Sequence, residues 1–317
     1  MSPRISIFLP AHNEAGNIAP SFDKIARAFT ALKLEGQIVL VDDGSTDSTW
    51  DEATTTAARY PFVRLYRHRL RLGKTEALRT GLPHCEGDVV MLFDADLESD
   101  PEQDIPKLWH KINEGYDVVA GWRQGRRDGK IFASSSANAV SRRLFGLDVH
   151  DLNWIKAFRR EVIETIRLRS DWHRYLLILA AAQGYKIAEV PVNFYPRTRG
   201  KSKYGVTRLP ISFLDVIVLK FLLTFSRKPM QFFGGLGLLI VAGSVGTFAY
   251  LAYLFFGGAG QRRPIFDLAG VLLLVGVLLF VVGFLAELIV NQSERVDELE
   301  TRLRTAEENK TRGDRGR

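Results

Sequence analysis

Short apolar runs alternate with helical stretches from residue 5 to about residue 194. Apolar, β-branched runs bounded by turn residues predict strands, whereas apolar positions three and four residues apart predict helices. The alternation predicts an α/β domain in which βα units surround a mixed, mostly parallel sheet. The predicted strands are 5–9, 38–41, 63–66, 89–93 and 118–120, and the predicted helices are 18–34, 48–59 and 75–82.

The pattern changes after Met230, where two long segments lose their polar positions. Residues 232–256 and 268–286 contain no charged side chain. About 20 such residues, rising about 1.5 Å each, cross a hydrocarbon core of about 30 Å. A pair of buried core helices is the alternative, but such helices seldom run this long without a polar face. We therefore expect two transmembrane helices, at about 232–256 and 267–290.

Two further segments flank these spans. Residues 209–225, within the segment 206–229, are apolar but interrupted by Asp215 and Lys220, which favours a helix in the membrane interface over an ordinary amphipathic packing helix. Residues 292–317 carry both signs of charge, with apolar positions 296, 299, 303 and 306 at coiled-coil spacing. Fewer than two heptads are present, so a homo-oligomer and a solvated, fraying helix both remain open. The predicted plan is a catalytic domain at 1–205, an interfacial helix at 206–229, two spans within 230–291 and a charged tail at 292–317.

Cysteine content and charge indicate the compartment. The single cysteine, Cys85, excludes a disulfide framework and fits a reducing environment. The apolar run at 5–10 is too short for a signal sequence. A chain with two spans has both termini on the same side of the membrane. The basic residues that flank the spans on that side outnumber Arg262 and Arg263, which lie in the loop between the two spans. The positive-inside rule then predicts a cytoplasmic domain and two cytoplasmic termini.

Ligands of parallel sheets bind beyond the carboxyl ends of the strands. This rule selects four loops, at 10–14, 42–47, 68–74 and 94–98. Asp94 and Asp96 directly follow an apolar strand, about 7 Å apart on an extended backbone, and Glu98 adds a third carboxylate. Hard oxygen ligands suit Mg²⁺ or Mn²⁺ bridging a diphosphate. A solvated turn would explain an isolated Asp-x-Asp, but the acidic loop two strands earlier favours the metal site.

The acidic loop at 42–47 has two interpretations. Asp43 is expected to face a ligand and accept hydrogen bonds from a base or ribose, whereas Thr46 and Asp47 are expected to cap the following helix. No Gly-x-Gly-x-x-Gly or Walker motif lies between the predicted strands and helices, which disfavours a dinucleotide or P-loop site.

Six motifs occur in an order that resembles family 2 glycosyltransferases of the polyprenyl-phosphate type, which include dolichyl-phosphate mannose synthase and bacterial undecaprenyl-phosphate sugar transferases. They are Pro-Ala-His-Asn-Glu at 10–14, Asp-Asp-Gly-Ser-Thr-Asp at 42–47, Gly-Lys at 73–74, Asp-Ala-Asp-Leu-Glu at 94–98, Lys-Ala-Phe-Arg-Arg-Glu at 156–161 and Gly-Lys-Ser-Lys at 200–203. The resemblance extends over residues 5–205 and implies a GT-A fold.

The resemblance also implies a role for each matched position. The nucleotide-sugar donor would be bound by Pro10, Ala11, His12, Glu14, Val41, Asp43, Lys74, Asp94 and Ala95. The acceptor, a polyprenyl phosphate of the undecaprenyl type held in the lipid bilayer, would be bound by Arg123, Lys130, Ser134, Arg197, Arg199 and Lys201. Mg²⁺ or Mn²⁺ would be bound by Asp94, Asp96 and Glu98, and the catalytic residues would be Asp96, Arg123 and Lys201.

The chemistry expected of this site needs little acid–base help. A phosphate acceptor is already ionised near neutral pH, so a strong general base is not required. In-line attack would invert the anomeric carbon, with the metal and cations stabilising the leaving nucleoside diphosphate. No catalytic histidine is expected, and His173 is interpreted as structural.

Three other functions remain as alternatives. A processive polysaccharide synthase is disfavoured because no Gln-x-x-Arg-Trp motif is present. A non-catalytic membrane scaffold that displays the tail would leave the acidic motifs unexplained. Nucleic acid is not an expected partner, because the +7 net charge is concentrated beside the spans and in the tail.

Overall fold

The computed structural model describes residues 4–125, 145–166, 172–196, 218, 220–221, 224–225, 228–258 and 263–315, without the side chains of 294, 297–298 and 300–315. The chain divides into two compact units, Met1–Leu214 and Asp215–Arg317. Most of the predicted interfacial helix at 206–229 lies outside the described residues.

The first unit is built on a seven-stranded sheet. Its order is β3-β2-β1-β4-β6-β5-β7, and β6 runs antiparallel to both β4 and β5 while the other pairs are parallel. The strands are β1 (Ile5–Ala11), β2 (Gly36–Asp42), β3 (Val63–Arg67), β4 (Val89–Leu92), β5 (Val118–Gln124), β6 (Lys156–Arg159) and β7 (Ile187–Asn193). The predicted mixed, mostly parallel sheet is therefore confirmed.

Helices connect and cover these strands. They are α1 (Ile18–Leu32), α2 (Thr49–Ala57), α3 (Lys74–Gly81), α4 (Pro101–Asn113), α5 (Arg160–Thr165) and α6 (Leu176–Ala182). Short 3₁₀ turns occupy Leu82–His84 and Trp172–Tyr175. The five predicted strands and three predicted helices are all present, with ends displaced by up to four residues. No boundaries were predicted from the sequence for α4, β6 or β7.

The core lies between the sheet and the helices on its faces. Phe22, Ile25 and Phe29 recur at three- and four-residue spacing on α1, so they share one buried face. Strands β1, β2 and β4 are buried along nearly their whole length, as expected for the centre of a parallel sheet. Cys85 is buried beside this core, and burial raises the pKa of its thiol to about 12.

The second unit contains two long helices, α7 (Pro229–Phe256) and α8 (Arg263–Arg315). The stretches Pro229–Phe256 and Arg263–Ser293 are long and apolar enough to cross a membrane, with mean hydropathies of 1.9 and 3.0. In the apolar 18-residue stretch of each, 6% and 17% of the residues are buried, whereas a core helix of a soluble domain is mostly buried. The charged tail is helical and continues α8 as far as Arg315.

Small residues bring α7 and α8 into close contact. A Cβ atom on Gly237 would lie 2.6 Å from the carbonyl oxygen of Gly276. The Ser244 hydroxyl donates to the carbonyl of Ala269 at 2.6 Å, and the Met230 amide donates to Glu287 at 3.1 Å. Backbone approach over small residues is how helices associate in lipid, where no hydrophobic force drives them together.

Candidate functional site

The site is built at one edge of the sheet. The carboxyl ends of β1, β2 and β4 meet there, and the antiparallel β6 begins there with Lys156 opposite Leu92. All four loops selected from the sequence therefore converge, because parallel neighbouring strands end at the same edge.

Hydrogen bonds join the first two loops into one rigid rim. The Asn13 amide donates to the Ser45 hydroxyl at 2.9 Å, and the Thr46 amide donates to the side-chain oxygen of Asn13 at 2.9 Å. The Glu14 amide donates to the Thr49 hydroxyl at 2.8 Å. Since Asn13 adopts a left-handed φ of 54°, the loop turns sharply immediately after His12.

Capping explains part of the acidic loop. The Thr49 amide donates to Asp47 at 3.0 Å at the start of α2, as expected from the sequence. The helix begins at Thr49, slightly later than predicted. Burial opposes ionisation of Asp47, but hydrogen bonds from Thr49 and Ala15 outweigh it and lower its pKa.

Asp43 organises the loop between β3 and α3. Its buried carboxylate accepts bonds from the amides of Leu72 and Gly73, both at 2.8 Å, and contacts His68 Nδ1 at 2.9 Å. Burial opposes ionisation, yet these bonds outweigh it and hold the pKa of Asp43 below its usual range. Asp43 thus fixes the loop that carries Lys74. Direct contact between Asp43 and the donor stays a prediction.

Three other predicted donor residues are structural parts of the rim. Val41 is fully buried, with its side chain packed beside Gly81 of α3. Ala11 and Ala95 are each 2% exposed, so they offer a ligand backbone atoms rather than side chains. Pro10, His12 and Glu14 are partly exposed at the same edge.

The Asp94–Asp96 turn lies directly beyond β4. Asp94 forms a salt bridge with Lys74, and Asp96 is 6% exposed. Leu97 follows with a left-handed φ of 58°, and the Glu98 amide donates to Asp96 at 3.2 Å. A leucine in this conformation indicates a turn held by its surroundings, as is common at functional sites.

Electrostatics keep Asp94 ionised in this turn. Burial favours the protonated acid, but the ammonium of Lys74, assisted by Lys156, lowers the pKa of Asp94. The turn therefore presents negative charge at the edge of the sheet, where a cation-bound diphosphate would be placed.

The carboxylates fit a metal shared with a substrate better than a metal cage. Among the described residues, no group of three or more histidine, cysteine, aspartate or glutamate side chains is placed to hold a metal ion. Mg²⁺ commonly takes only one or two protein carboxylates, the remaining positions being filled by substrate phosphates and water. Asp94 and Asp96 can supply that number of carboxylates, and Glu98 as a third ligand stays a prediction.

Arg123 lies near the carboxyl end of β5, which β6 separates from β4 and the acidic turn. Its guanidinium pairs with Asp151, with Nη2 at 3.0 Å from Oδ1, and stacks 4.6 Å from the ring centre of Trp154. A two-point pair and a stacked ring fix the orientation of an arginine. Asp151 and Trp154 were not predicted as site residues, although both precede the motif at 156–161.

Lys156 forms the floor between these two sides. It is 5% exposed, and its ammonium donates to the carbonyl of Trp154 at 2.8 Å. Burial, followed by repulsion from Lys74, lowers the pKa of Lys156 to about 7. Its position inside the apolar run Trp-Ile-Lys-Ala-Phe was a sequence signal for a buried functional lysine. From the sequence, however, Lys156 was interpreted only as part of the motif at 156–161.

His173 also reaches the site, through Thr75 at the start of α3. Its Nδ1 lies 2.8 Å from the Thr75 hydroxyl. Burial and the neighbouring Lys74 lower the pKa of His173 to about 3, so the ring is neutral at physiological pH. This bond to a helix terminus agrees with the structural role expected from the sequence. Lys130, Ser134, Arg197, Arg199 and Lys201 lie outside the described residues.

Comparison with known proteins gives the family. Residues 6–170 match the model described as Glycosyl transferase family 2. The chain belongs to this family. One relative of this family 2 glycosyltransferase is the dodecaprenyl-phosphate galacturonate synthase of Rhizobium johnstonii, 30% identical over 306 residues, which are 93% of this chain and 90% of the relative. The resemblance to polyprenyl-phosphate sugar transferases is thereby confirmed.

Solved structures of low sequence identity share the fold. Glucosyl-3-phosphoglycerate synthase from Mycobacterium tuberculosis, in complex with Mn²⁺, UDP and phosphoglyceric acid, superposes with a TM-score of 0.55 at 22% identity, covering 69% of this chain and 78% of that one. The same enzyme with Mg²⁺ and UDP gives a TM-score of 0.53 at 21% identity, covering 69% and 79%. These likenesses support the GT-A fold of this family 2 glycosyltransferase.

Proposed function

We propose that this glycosyltransferase moves a sugar from a UDP- or GDP-linked donor to a polyprenyl phosphate, by a single displacement that inverts the anomeric carbon. The observation that supports it most is the arrangement at the sheet edge, where β6, which begins with the buried Lys156, separates the acidic turn at Asp94 and Asp96 from the fixed cation Arg123. One side suits a metal-bound diphosphate and the other suits a phosphate nucleophile.

The donor side would be held by the rim loops and the acidic turn. Asp94 and Asp96 would bind Mg²⁺ or Mn²⁺, with Glu98 beside them, and the ion would neutralise the charge of the leaving diphosphate. Lys74, at the first position of α3, would place its ammonium next to the same phosphates. The Mn²⁺ and Mg²⁺ that accompany UDP in the M. tuberculosis structures support the choice of cofactor.

The acceptor side needs an orienting cation rather than a base. A phosphate monoester carries negative charge near neutral pH, so its oxygen attacks without losing a proton. Within the described part of the chain, Arg123 uses two guanidinium nitrogens on Asp151, and its other N–H groups would hold the acceptor oxygen in line with the anomeric carbon. Lys130, Ser134, Arg197, Arg199 and Lys201 would complete the phosphate site.

Membrane attachment fits such an acceptor. A polyprenyl tail stays in the bilayer, so the enzyme must work where the phosphate emerges. The two apolar helices, Pro229–Phe256 and Arg263–Ser293, would anchor it there. The basic residues before the first span support a site on the cytoplasmic face, under the positive-inside rule.

The test is a transfer assay with the purified full chain. The protein is incubated with Mn²⁺ or Mg²⁺, undecaprenyl or dodecaprenyl phosphate, and a panel of UDP- and GDP-sugars, and lipid-linked monosaccharide is sought by mass spectrometry. Asp96→Asn should lower turnover by about 100-fold or more, because a group stabilising the leaving charge is lost. Asp51→Asn, the same charge change on the exposed side of α2, should leave turnover unchanged.

Three outcomes distinguish the alternatives. A single lipid-linked sugar with inverted anomeric configuration supports the proposal. A lipid carrying a growing sugar chain indicates a processive enzyme instead. No product from any donor, with protein that still shows cooperative thermal unfolding, rejects the proposal and favours a scaffold.

A further inference from the structure

Lys156 is a buried cation whose hydrogen-bonding capacity is largely unused. Its ammonium can donate three hydrogen bonds, yet among the described residues it donates to one acceptor, the carbonyl of Trp154. No carboxylate of the described part of the chain lies within salt-bridge distance of it. Lys74 and Arg123, the neighbouring cations, are by contrast paired with Asp94 and Asp151.

Such an arrangement is costly unless a ligand completes it. A buried charge without a counter-charge loses hydration free energy that nothing else in the protein replaces. Lys74 and Arg123 disfavour the charge of Lys156, whereas Asp151 and Asp94 favour it from beyond salt-bridge distance. Among the described residues no carboxylate pairs with Lys156 directly, so an anionic ligand would supply the direct counter-charge that it lacks.

The position of Lys156 limits which anion this is. Lys156 is the first residue of β6 and pairs with Leu92 of β4 and Ala120 of β5. Asp94 follows β4 by two residues, and Arg123 follows Ala120 by three. Under the proposed function the donor diphosphate binds at the first of these places and the acceptor phosphate at the second. The sugar being transferred must lie between them, above Lys156.

A second buried donor lies beside the lysine. The indole Nε1 of Trp154, a residue that is 7% exposed, has no hydrogen-bond partner in the described structure. Buried donors of this kind are rare in folded proteins unless a ligand or water supplies the acceptor. The carbonyl of the same residue accepts the Lys156 bond, so the two donors belong to one short segment.

We propose that the donor sugar bears a carboxylate, as a nucleotide-linked uronic acid does, and that Lys156 binds this carboxylate as the specificity-determining residue. A neutral hexose offers hydroxyl groups, which satisfy hydrogen bonds but not the charge. A carboxylate satisfies both, and its second oxygen is an acceptor suited to the Trp154 N–H. The inference rests on the proposed function, because that function is what places the sugar over Lys156.

The test compares matched donors on the purified full chain. Transfer to undecaprenyl phosphate is measured with UDP-glucose against UDP-glucuronate and with UDP-galactose against UDP-galacturonate. We expect wild-type protein to prefer one uronate over its neutral partner by about 100-fold or more in kcat/KM, as is typical when a buried charge is left unpaired. Lys156→Gln should lose about 100-fold on the uronate and change by less than about 5-fold on the neutral sugar.

Controls separate recognition from folding. Lys107→Gln removes a lysine on α4 that is paired with Asp104, and it should leave both donors unaffected. UDP alone lacks the sugar, so it should raise the melting temperature of wild type and Lys156→Gln equally, whereas the extra stabilisation by the preferred UDP-uronate should vanish in the variant. Lys156→Arg keeps the charge and should retain part of the preference.

The outcomes also separate this inference from the proposed function. Transfer of a neutral hexose in preference to both uronates would overturn the role of Lys156 while leaving transfer to lipid phosphate intact, even if Lys156→Gln fails to fold. If Lys156→Gln lost activity equally on the uronate and on its neutral partner, the role of Lys156 would also be overturned, because an equal loss means that Lys156 contacts the diphosphate that both donors share. Absence of lipid-linked product with every donor would reject the proposed function itself.

Discussion

Replacing Asp43 by asparagine should release the loop between β3 and α3. The carboxylate accepts the amides of Leu72 and Gly73 on different oxygens, and one of these oxygens also contacts His68. Asparagine keeps one acceptor oxygen and puts an NH₂ group in place of the other. Either the Leu72 or the Gly73 amide must then face a donor, so at least one bond is replaced by repulsion.

The size of the effect follows from these contacts. A hydrogen bond to an ionised group contributes about 1.5–3 kcal/mol, and the surviving bonds weaken when the charge is removed. We expect the loop to lose about 2–3 kcal/mol of protection against local opening, which corresponds to about 30- to 150-fold faster amide exchange. Because Lys74 follows this loop and pairs with Asp94, the donor KM should rise as well.

Hydrogen–deuterium exchange of the full chain in detergent provides the assay. Peptides covering 68–74 should exchange faster in Asp43→Asn, while peptides from α1 and β1 keep wild-type rates. Asp51→Asn removes an equal charge from the exposed face of α2 and serves as the control. Unchanged exchange at Leu72 and Gly73 in Asp43→Asn would refute the claim that this carboxylate holds the loop.

Three further predictions concern other parts of the molecule. Gly237→Leu should destabilise the helix pair by about 1–3 kcal/mol or more, because the new Cβ would contact the backbone of Gly276. Gly235→Leu on the same helix is the control, since a Cβ there has no neighbouring atom within 4 Å. Thermal unfolding in detergent checks this, and equal effects would contradict it. Cys85 should resist maleimide until the protein is denatured, because burial raises the pKa of its thiol to about 12; rapid native labelling counts against this. His173 stays neutral in the folded chain, because its pKa there is about 3, but it is protonated below about pH 6.5 in the unfolded chain. Lowering the pH from 7 to 5 should therefore reduce the free energy of unfolding of the wild type by about 2 kcal/mol. His173→Gln should not show this loss. Parallel pH profiles of the two proteins would show this reasoning to be wrong.

Local patterns were sufficient for the strands and loops that carry the donor side. β1, β2 and β4 are continuous apolar runs, and their loops begin with the acidic and turn-forming residues that were selected. Such signals depend only on neighbours in sequence, since a strand buried on both faces needs apolar residues throughout. The two long apolar helices were equally visible, because about 20 uncharged residues suffice to identify each one.

Other elements have their conformation decided by distant partners. β6 reads Lys-Ala-Phe-Arg, which has no strand pattern, and it is a strand because it fills the space between β4 and β5. β7 contains Pro191, which argues against a strand in the interior of a sheet. It is tolerated here because β7 lies at the edge of the sheet, where a missing N–H leaves no partner unsatisfied.

By itself, then, the sequence determined the strands β1 to β5, the acidic turn at Asp94 and Asp96, and the apolar pair of helices, because each is encoded in consecutive residues. The tertiary structure alone decided that Lys156 lies near Asp94, that Asp151 fixes Arg123, and that Asp43 holds the loop before Lys74. Charge and hydrogen bonding act through space, so the pKa of Asp94 is lowered first by Lys74 and then by Lys156, a residue far from it in the sequence.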